Sequence, residues 1–287
     1  MEAIARAKKV VRLFLPPILL RLITSILRLV ASPGLEYAPR GWKTELGNDQ
    51  NPGWNSDSAT AVEEERYQRF CETLKDSRPL AFMHEHTDPT ELVEEFHNRN
   101  ITLAYVLALT AVGTTRISVL DYGGSLGHNY SFCKAVFGDR EIHIDFNCKE
   151  VPKLADIGKR LAPQINWYTD DSCLKKSYDL VIINGVLQYI QKWEDFLERV
   201  SPAVNKYLFL GHLPLVDGGP GFVAIQRRYG AIMLHEQFNP GRIVDVVGKT
   251  GLRMTREFLT GVRPYIKNAP QPCELRSYLF RRDRDNG

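Results

Sequence analysis

Val119-Leu120-Asp121-Tyr122-Gly123-Gly124-Ser125-Leu126-Gly127 is the stretch that decides the fold. An apolar run over 117–122 ends in glycines, and a helical pattern opens behind them over 128–137. Glycine lets a backbone turn sharply and approach a ligand closely. The N-terminus of the next helix offers free N–H groups and a partial positive charge, which suits a pyrophosphate or an amino-acid carboxylate. Strand, glycine turn and helix in this order predict the first unit of a nucleotide-binding α/β sheet.

The pattern continues downstream. Strands are expected at 142–150, 165–169, 178–184 and 207–211, with helices at 151–161 and 192–200. The run YDLVIIN is continuously apolar, as a strand buried on both faces should be. After a helix at 239–250, stopped by Gly251, two strands follow at 252–259 and 274–281, joined by a long loop. The alternation predicts an α/β fold: a Rossmann-like, doubly wound, mostly parallel seven-stranded sheet with an N-terminal helical extension.

Upstream, the chain divides differently. Residues 10–31 read VVRLFLPPILLRLITSILRLVA. Arg21 at the centre of a membrane span would cost roughly 3 kcal/mol, and no small-residue cleavage site follows. From the proline pair, Leu19, Leu22, Ile23, Ile26, Leu27 and Val30 form one helical stripe. Residues 1–31 are therefore expected to be a basic amphipathic helix, lying on an anionic membrane surface or docking on protein. Residues 32–58 read as a linker. Helices are expected at 59–76, capped by Ser58 or Thr60, and at 89–113. The expected division is 1–31, a linker and helical cap over 32–113, and a catalytic domain over 114–287.

The 287 residues are 44% hydrophobic and 25% charged, with a formal charge of +3, too small to argue nucleic-acid binding. Five scattered cysteines contain no C-x-x-C pair, which suggests neither zinc nor redox chemistry and fits a cytoplasmic setting. No metal site is expected.

The acid before the glycines separates two cofactor classes. Dinucleotide enzymes favour G-x-G-x-x-G without an acid in the strand. Asp121, Gly123 and Gly127 instead follow the D-x-G-x-x-x-G pattern of S-adenosylmethionine (SAM) enzymes, in which a carboxylate suits the methionyl ammonium and would repel a pyrophosphate. Gly124 belongs to the same turn. Glu150, ending the next strand, is the candidate for the ribose hydroxyls, with Asp145 as competitor. Asp170 or Asp171 is the candidate for the adenine amine, with Asp170 preferred. Asn184 and Gly185 sit where substrate and methionine meet beyond the strand ends. An alcohol acceptor benefits from a general base, and His212, after the fifth strand, is the candidate. Tyr189, Gln226 and His235 are candidate acceptor contacts, the last in an insertion over 212–238 expected to cover the acceptor pocket.

Together, LDYGGSLG, YDLVIINGVLQYI and the W-x-x-F-L helix resemble class I SAM-dependent methyltransferases, and more narrowly those encoded in bacterial surface-polysaccharide gene clusters. The resemblance implies an L-D-x-G-G-x-L-G-x-x-Y turn, matched here through Tyr130, a V-P after the second acid (Val151-Pro152), and a glutamine segment after the fifth strand, matched by 223–226. Pro16-Pro17 and Gly53-Trp54 are also similar. Ser125 departs from a glycine common in the family, and His212 stands where these relatives carry arginine. The resemblance implies O- or N-methylation of a glycan or nucleotide-sugar acceptor, on the inner face of the cytoplasmic membrane. Competing readings are an NAD-dependent sugar-modifying enzyme, which Asp121 disfavours, and a non-catalytic Rossmann-like module tethering an assembly complex.

Overall fold

The structure, a computed structural model, describes residues 34–46, 53–75, 94–138, 140–228 and 231–283. The amphipathic helix expected over 1–31 lies outside them.

Seven strands form the main sheet: β2 (Arg116–Tyr122), β3 (His143–Lys149), β4 (Asn166–Tyr168), β5 (Tyr178–Asn184), β6 (Val204–Val216), β9 (Leu252–Leu259) and β10 (Cys273–Arg282). Their order is β4-β3-β2-β5-β6-β10-β9. The first five run parallel, and β10 is antiparallel to both its neighbours. This is the expected Rossmann-like, mostly parallel seven-stranded sheet. The order reverses between β2 and β5, so a crevice opens beyond their carboxyl ends.

Alternation along each strand divides the core. Ile117 and Val119 of β2 join Leu180, Ile182 and Phe146 under α2 (Glu94–Thr110) and α3 (His128–Phe137). Leu120 joins Val181 and Ile183 under α5 (Trp193–Val200) and α6 (Pro240–Gly248). Leu180, Val181, Ile182 and Ile183 have no exposed surface; each such burial contributes roughly 1.5–3 kcal/mol. This explains why β5 is apolar throughout.

Two features depart from expectation. The stretch read as a linker contains β1 (Gly34–Tyr37), and the insertion contains β7 (Phe222–Arg228) and β8 (Ala231–Gln237). They form a separate antiparallel sheet in the order β1-β7-β8. β1 is too short to show a period and takes its strand form from pairing with β7, Leu35 opposite Gln226. The helix cap is also displaced: α1 (Asp57–Thr73) is capped by Ser56, whose hydroxyl accepts from Ala59 N–H at 3.2 Å. Ser58 and Thr60 fall inside the first turn.

β6 runs past the expected 207–211 because it bends rather than ends. Leu210 faces Tyr278 and Leu213 faces Arg276, so Gly211 and His212 together oppose Ser277. This two-against-one bulge leaves His212 at φ +58°, a conformation uncommon outside glycine. The His212 N–H donates to Ser277 Oγ at 3.1 Å.

Candidate active site

The glycine turn lies at the carboxyl end of β2. Gly123 has φ +76°, and its N–H donates to the Lys149 carbonyl at 2.8 Å. A Cβ there would collide with Val186 of the loop after β5; at Gly124 it would collide with the Asp121 carboxylate and Cys148 Sγ. Gly127 immediately precedes α3. The backbone is thus held against the crevice by contacts that no larger side chain fits.

Asp121 is 1% exposed. Its Oδ2 accepts from Asn129 Nδ2 at 3.0 Å, and its Oδ1 has no hydrogen-bond partner among the described residues. Burial pushes its carboxyl up to about 7, against the Asn129 bond and with the help of nearby Glu150. A buried carboxylate with one oxygen unsatisfied is held ready for a cationic donor. Asn129, in the first turn of α3, is a residue of this turn that the sequence pattern did not single out.

Glu150 stands where the strand-end position predicted, immediately after β3. Its Oε2 accepts from Ser125 N–H (2.9 Å) and its Oε1 from Val151 N–H (2.7 Å). Burial raises its carboxyl, offset by these two N–H bonds. A carboxylate has about four lone-pair sites, so two remain for hydroxyl donors. Asp145 lies mid-strand and is engaged by Asn147 and Asn166. A third carboxylate arrives from α1: Glu63 Oε2 accepts from Ser125 Oγ at 2.8 Å, while its Oε1 pairs with Arg66 at 2.7 Å. Nothing in the sequence pattern marked Glu63, because only packing brings α1 to the turn.

The adenine-side aspartates separate. Asp170 is exposed and accepts from Ser172 N–H at 2.9 Å, capping its own turn. Asp171 accepts from the Tyr122 hydroxyl at 2.8 Å and so sits beside the residue following Asp121. Tyr130, on α3, packs its ring edge-on against Phe146 at the margin of the core, 5.4 Å between centroids. The ring is partly buried, and this packing contact neither supports nor excludes the cofactor role the resemblance implied.

Across the crevice, the Gly185 N–H donates to the Gly211 carbonyl at 2.9 Å, and the Asn184 carboxamide covers Gly211. His212 Cβ and Gln188 Nε2 both lie 4.0 Å from where a Cβ on Gly185 would be. The bulge in β6 therefore carries His212 to the mouth of the switch point. Gln188 is buried, and its Oε1 has no hydrogen-bond partner among the described residues. His212 Nδ1 is buried; burial, and then Arg99, His235 and Arg228, push the imidazole down to about 3. The ring is neutral at physiological pH.

The three candidate acceptor contacts, far apart in sequence, meet. The Tyr189 hydroxyl donates to Gln226 Oε1 at 2.7 Å, and its ring lies edge-on to His235 at 5.3 Å. Trp54 packs edge-on against the same tyrosine at 5.7 Å. Among the described residues no cluster of His, Cys, Asp or Glu is placed to hold a metal, and no helix is long and apolar enough to cross a membrane.

No family model matches the chain, and no curated protein matches it in sequence. Solved structures do match. The magnesium protoporphyrin IX methyltransferase of Synechocystis PCC 6803 with bound S-adenosylhomocysteine (SAH) is 16% identical, over 79% of this chain and 97% of that one, with a TM-score of 0.50. Its SAM-bound form is also 16% identical, over 79% and 98%, with a TM-score of 0.49. The sheet order, the antiparallel β10 and the first of these likenesses agree that this chain has the Rossmann-like fold seen in SAM-dependent methyltransferases.

Proposed function

We propose that the protein is a SAM-dependent methyltransferase. The observation that carries this reading is Asp121: enclosed, one carboxylate oxygen without a hydrogen-bond partner among the described residues, and set behind a turn with no room for a Cβ at Gly123 or Gly124. A pyrophosphate would meet repulsion there, whereas the ammonium of SAM supplies the missing donor. The residues fit the cofactor. Asp121, with Gly123, Gly124 and Gly127, would hold the methionyl end. Glu150 would hold the ribose hydroxyls. Asp170 or Asp171 lies on the adenine side, with Asn184 and Gly185 facing the acceptor. When bound, SAM supplies an electrophilic methyl group on a sulfonium.

The chain's own contribution is positioning, which can supply much of the acceleration in an in-line displacement. His212, neutral and beside Gly185, is the candidate base; with its imidazole held down to about 3, its part is to accept a hydrogen bond from a hydroxyl or amine acceptor and orient it, and full proton uptake would need the bound acceptor to raise it. Tyr189, Gln226 and His235 would orient that acceptor. The acceptor is read as a glycan or nucleotide-sugar, methylated at oxygen or nitrogen during surface-polysaccharide assembly; the support for this finer reading is the sequence resemblance. The same resemblance, with the apolar stripe and basic flank of 1–31, supports attachment to the inner face of the cytoplasmic membrane, with 114–287 as the catalytic domain. Calorimetric titration of Asp121→Ala tests the core of the proposal. Affinity for SAM should fall at least tenfold, about 1.4 kcal/mol, in a protein that remains folded by circular dichroism. Unchanged affinity would remove the turn from the site.

A further inference from the structure

Positive φ recurs along the glycine turn, at Gly123 (+76°), Ser125 (+53°) and Gly127 (+87°). The glycines adopt it freely. A serine does not, and it keeps such a conformation only where its surroundings hold it there. The Ser125 N–H donates to Glu150 Oε2 at 2.9 Å, and its hydroxyl donates to Glu63 Oε2 at 2.8 Å. The second of these is charge-assisted, a class about twice as strong as neutral hydrogen bonds.

Glu63 reaches the turn from α1. It is buried, and its other oxygen takes the Arg66 guanidinium at 2.7 Å, so both carboxylate oxygens are engaged, as a buried charge requires. α1 is tied in turn to α4 (Pro152–Leu161), which opens two residues after Glu150. The Lys153 N–H donates to Asn55 Oδ1 at 3.1 Å, at the entry to α1. Lys153 Nζ pairs with Asp57 at 2.6 Å and Arg160 with Glu64 at 2.6 Å. Exposed pairs of this kind are individually weak; the buried link between α1 and the turn is Glu63 to Ser125. We infer that Glu63 is a positioning residue for the cofactor: by holding the Ser125 hydroxyl it fixes the Ser125 N–H on Glu150, and so aims the remaining lone pairs of Glu150 at the ribose hydroxyls. Glu63 acts through Ser125 and needs no contact of its own with the ligand. A glycine at 125 would fit the turn and could not make this link. The inference rests on the methyltransferase reading for the identity of the ligand.

Amide hydrogen exchange on the full-length protein without ligand tests the positioning. Glu63→Ala should speed exchange of the Ser125 N–H about tenfold or more and leave the β5 amides unchanged. Glu63→Gln, whose carboxamide still hydrogen-bonds the hydroxyl, should restore part of the protection. Calorimetric titration then reads the cofactor side, with SAH first added to wild type. No binding there would count against the methyltransferase reading, while the exchange comparison still decides for or against Glu63. Glu63→Ala should weaken SAH about fivefold or more, and a 2′,3′-dideoxy analogue by less than about twofold. In a Ser125→Gly background, where the hydroxyl is gone and positive φ costs little, Glu63→Ala should change SAH affinity by less than about twofold. Should loss of Glu63 unfold α1, Ser125→Ala leaves the Glu63–Arg66 pair intact and should give the same split between SAH and the analogue. Unchanged Ser125 exchange in Glu63→Ala, equal losses for SAH and the analogue, or the same loss in both backgrounds would each overturn the inference.

Discussion

Replacing Asp121 by asparagine keeps the shape of the side chain and removes its charge. The wild-type carboxyl is enclosed and pushed from 3.8 up to about 7. At about 1.36 kcal/mol per pH unit, ionising it in the folded protein costs at most about 4 kcal/mol more than in the unfolded chain. The sign follows from the two values. Below about pH 4 both states hold the proton, and the substitution changes nothing. As pH rises, the unfolded chain ionises first, so the native state loses relative stability until pH passes about 7. Asp121→Asn removes that loss, and the Asn129 contact can be kept through the new amide oxygen. At pH 8 the ligand-free variant should be about 2–4 kcal/mol more stable than wild type, raising Tm by roughly 3–7 °C. By pH 5 the gain should shrink to less than half. Differential scanning calorimetry at pH 5 and 8 without ligand reads both numbers. A variant less stable than wild type at pH 8, or a gain independent of pH, would refute the claim that a buried charge is maintained there for a ligand.

Three further outcomes are expected. Glu150→Gln should weaken SAM, because a carboxamide oxygen accepts less strongly from hydroxyls, and should weaken a 2′,3′-dideoxy analogue much less; equal losses would move the ribose contact elsewhere. Histidine-ring NMR signals of His212 should not titrate between pH 5 and 8, since burial holds this imidazole down to about 3; a midpoint near 6.5 would mean an open, hydrated ring. Protein starting near residue 33 should lose salt-sensitive co-sedimentation with anionic vesicles, worth about 1 kcal/mol per basic residue, yet keep SAM binding; if full-length protein ignores such vesicles, the membrane reading fails.

The sequence was most informative where structure is local. α3, β5 and β9 have the expected bounds because a glycine turn, an unbroken apolar run and Gly251 each mark an end within a few residues. β1, β7 and β8 were not read as strands: β1 becomes one through a partner distant in the chain, Leu35 opposite Gln226, whereas β7 and β8 pair with each other across a short connection inside the stretch read only as an insertion. The bulge at Gly211–His212 was also hidden: it is set by register against β10, which no pattern in β6 records. The same division runs through the site. Asp121 and Glu150 could be placed because strand ends fix their position. Tyr189, Gln226 and His235 were picked singly, and their mutual contacts are a product of the fold. Glu63 and Asn129 were missed because a carboxylate and an amide on helices look like solvated surface until packing brings them to the turn. Tyr130, picked as part of the motif, packs partly buried against Phe146.

The most direct test of the account is calorimetric titration of the full-length protein with SAM and, separately, NADH, at pH 8 and pH 6. The ammonium of SAM should bind the ionised form of Asp121. Affinity should therefore level off above about pH 7 and fall up to about tenfold at pH 6, with proton release on binding. NADH should give no saturable heat. Saturable NADH binding with no response to SAM would contradict the account.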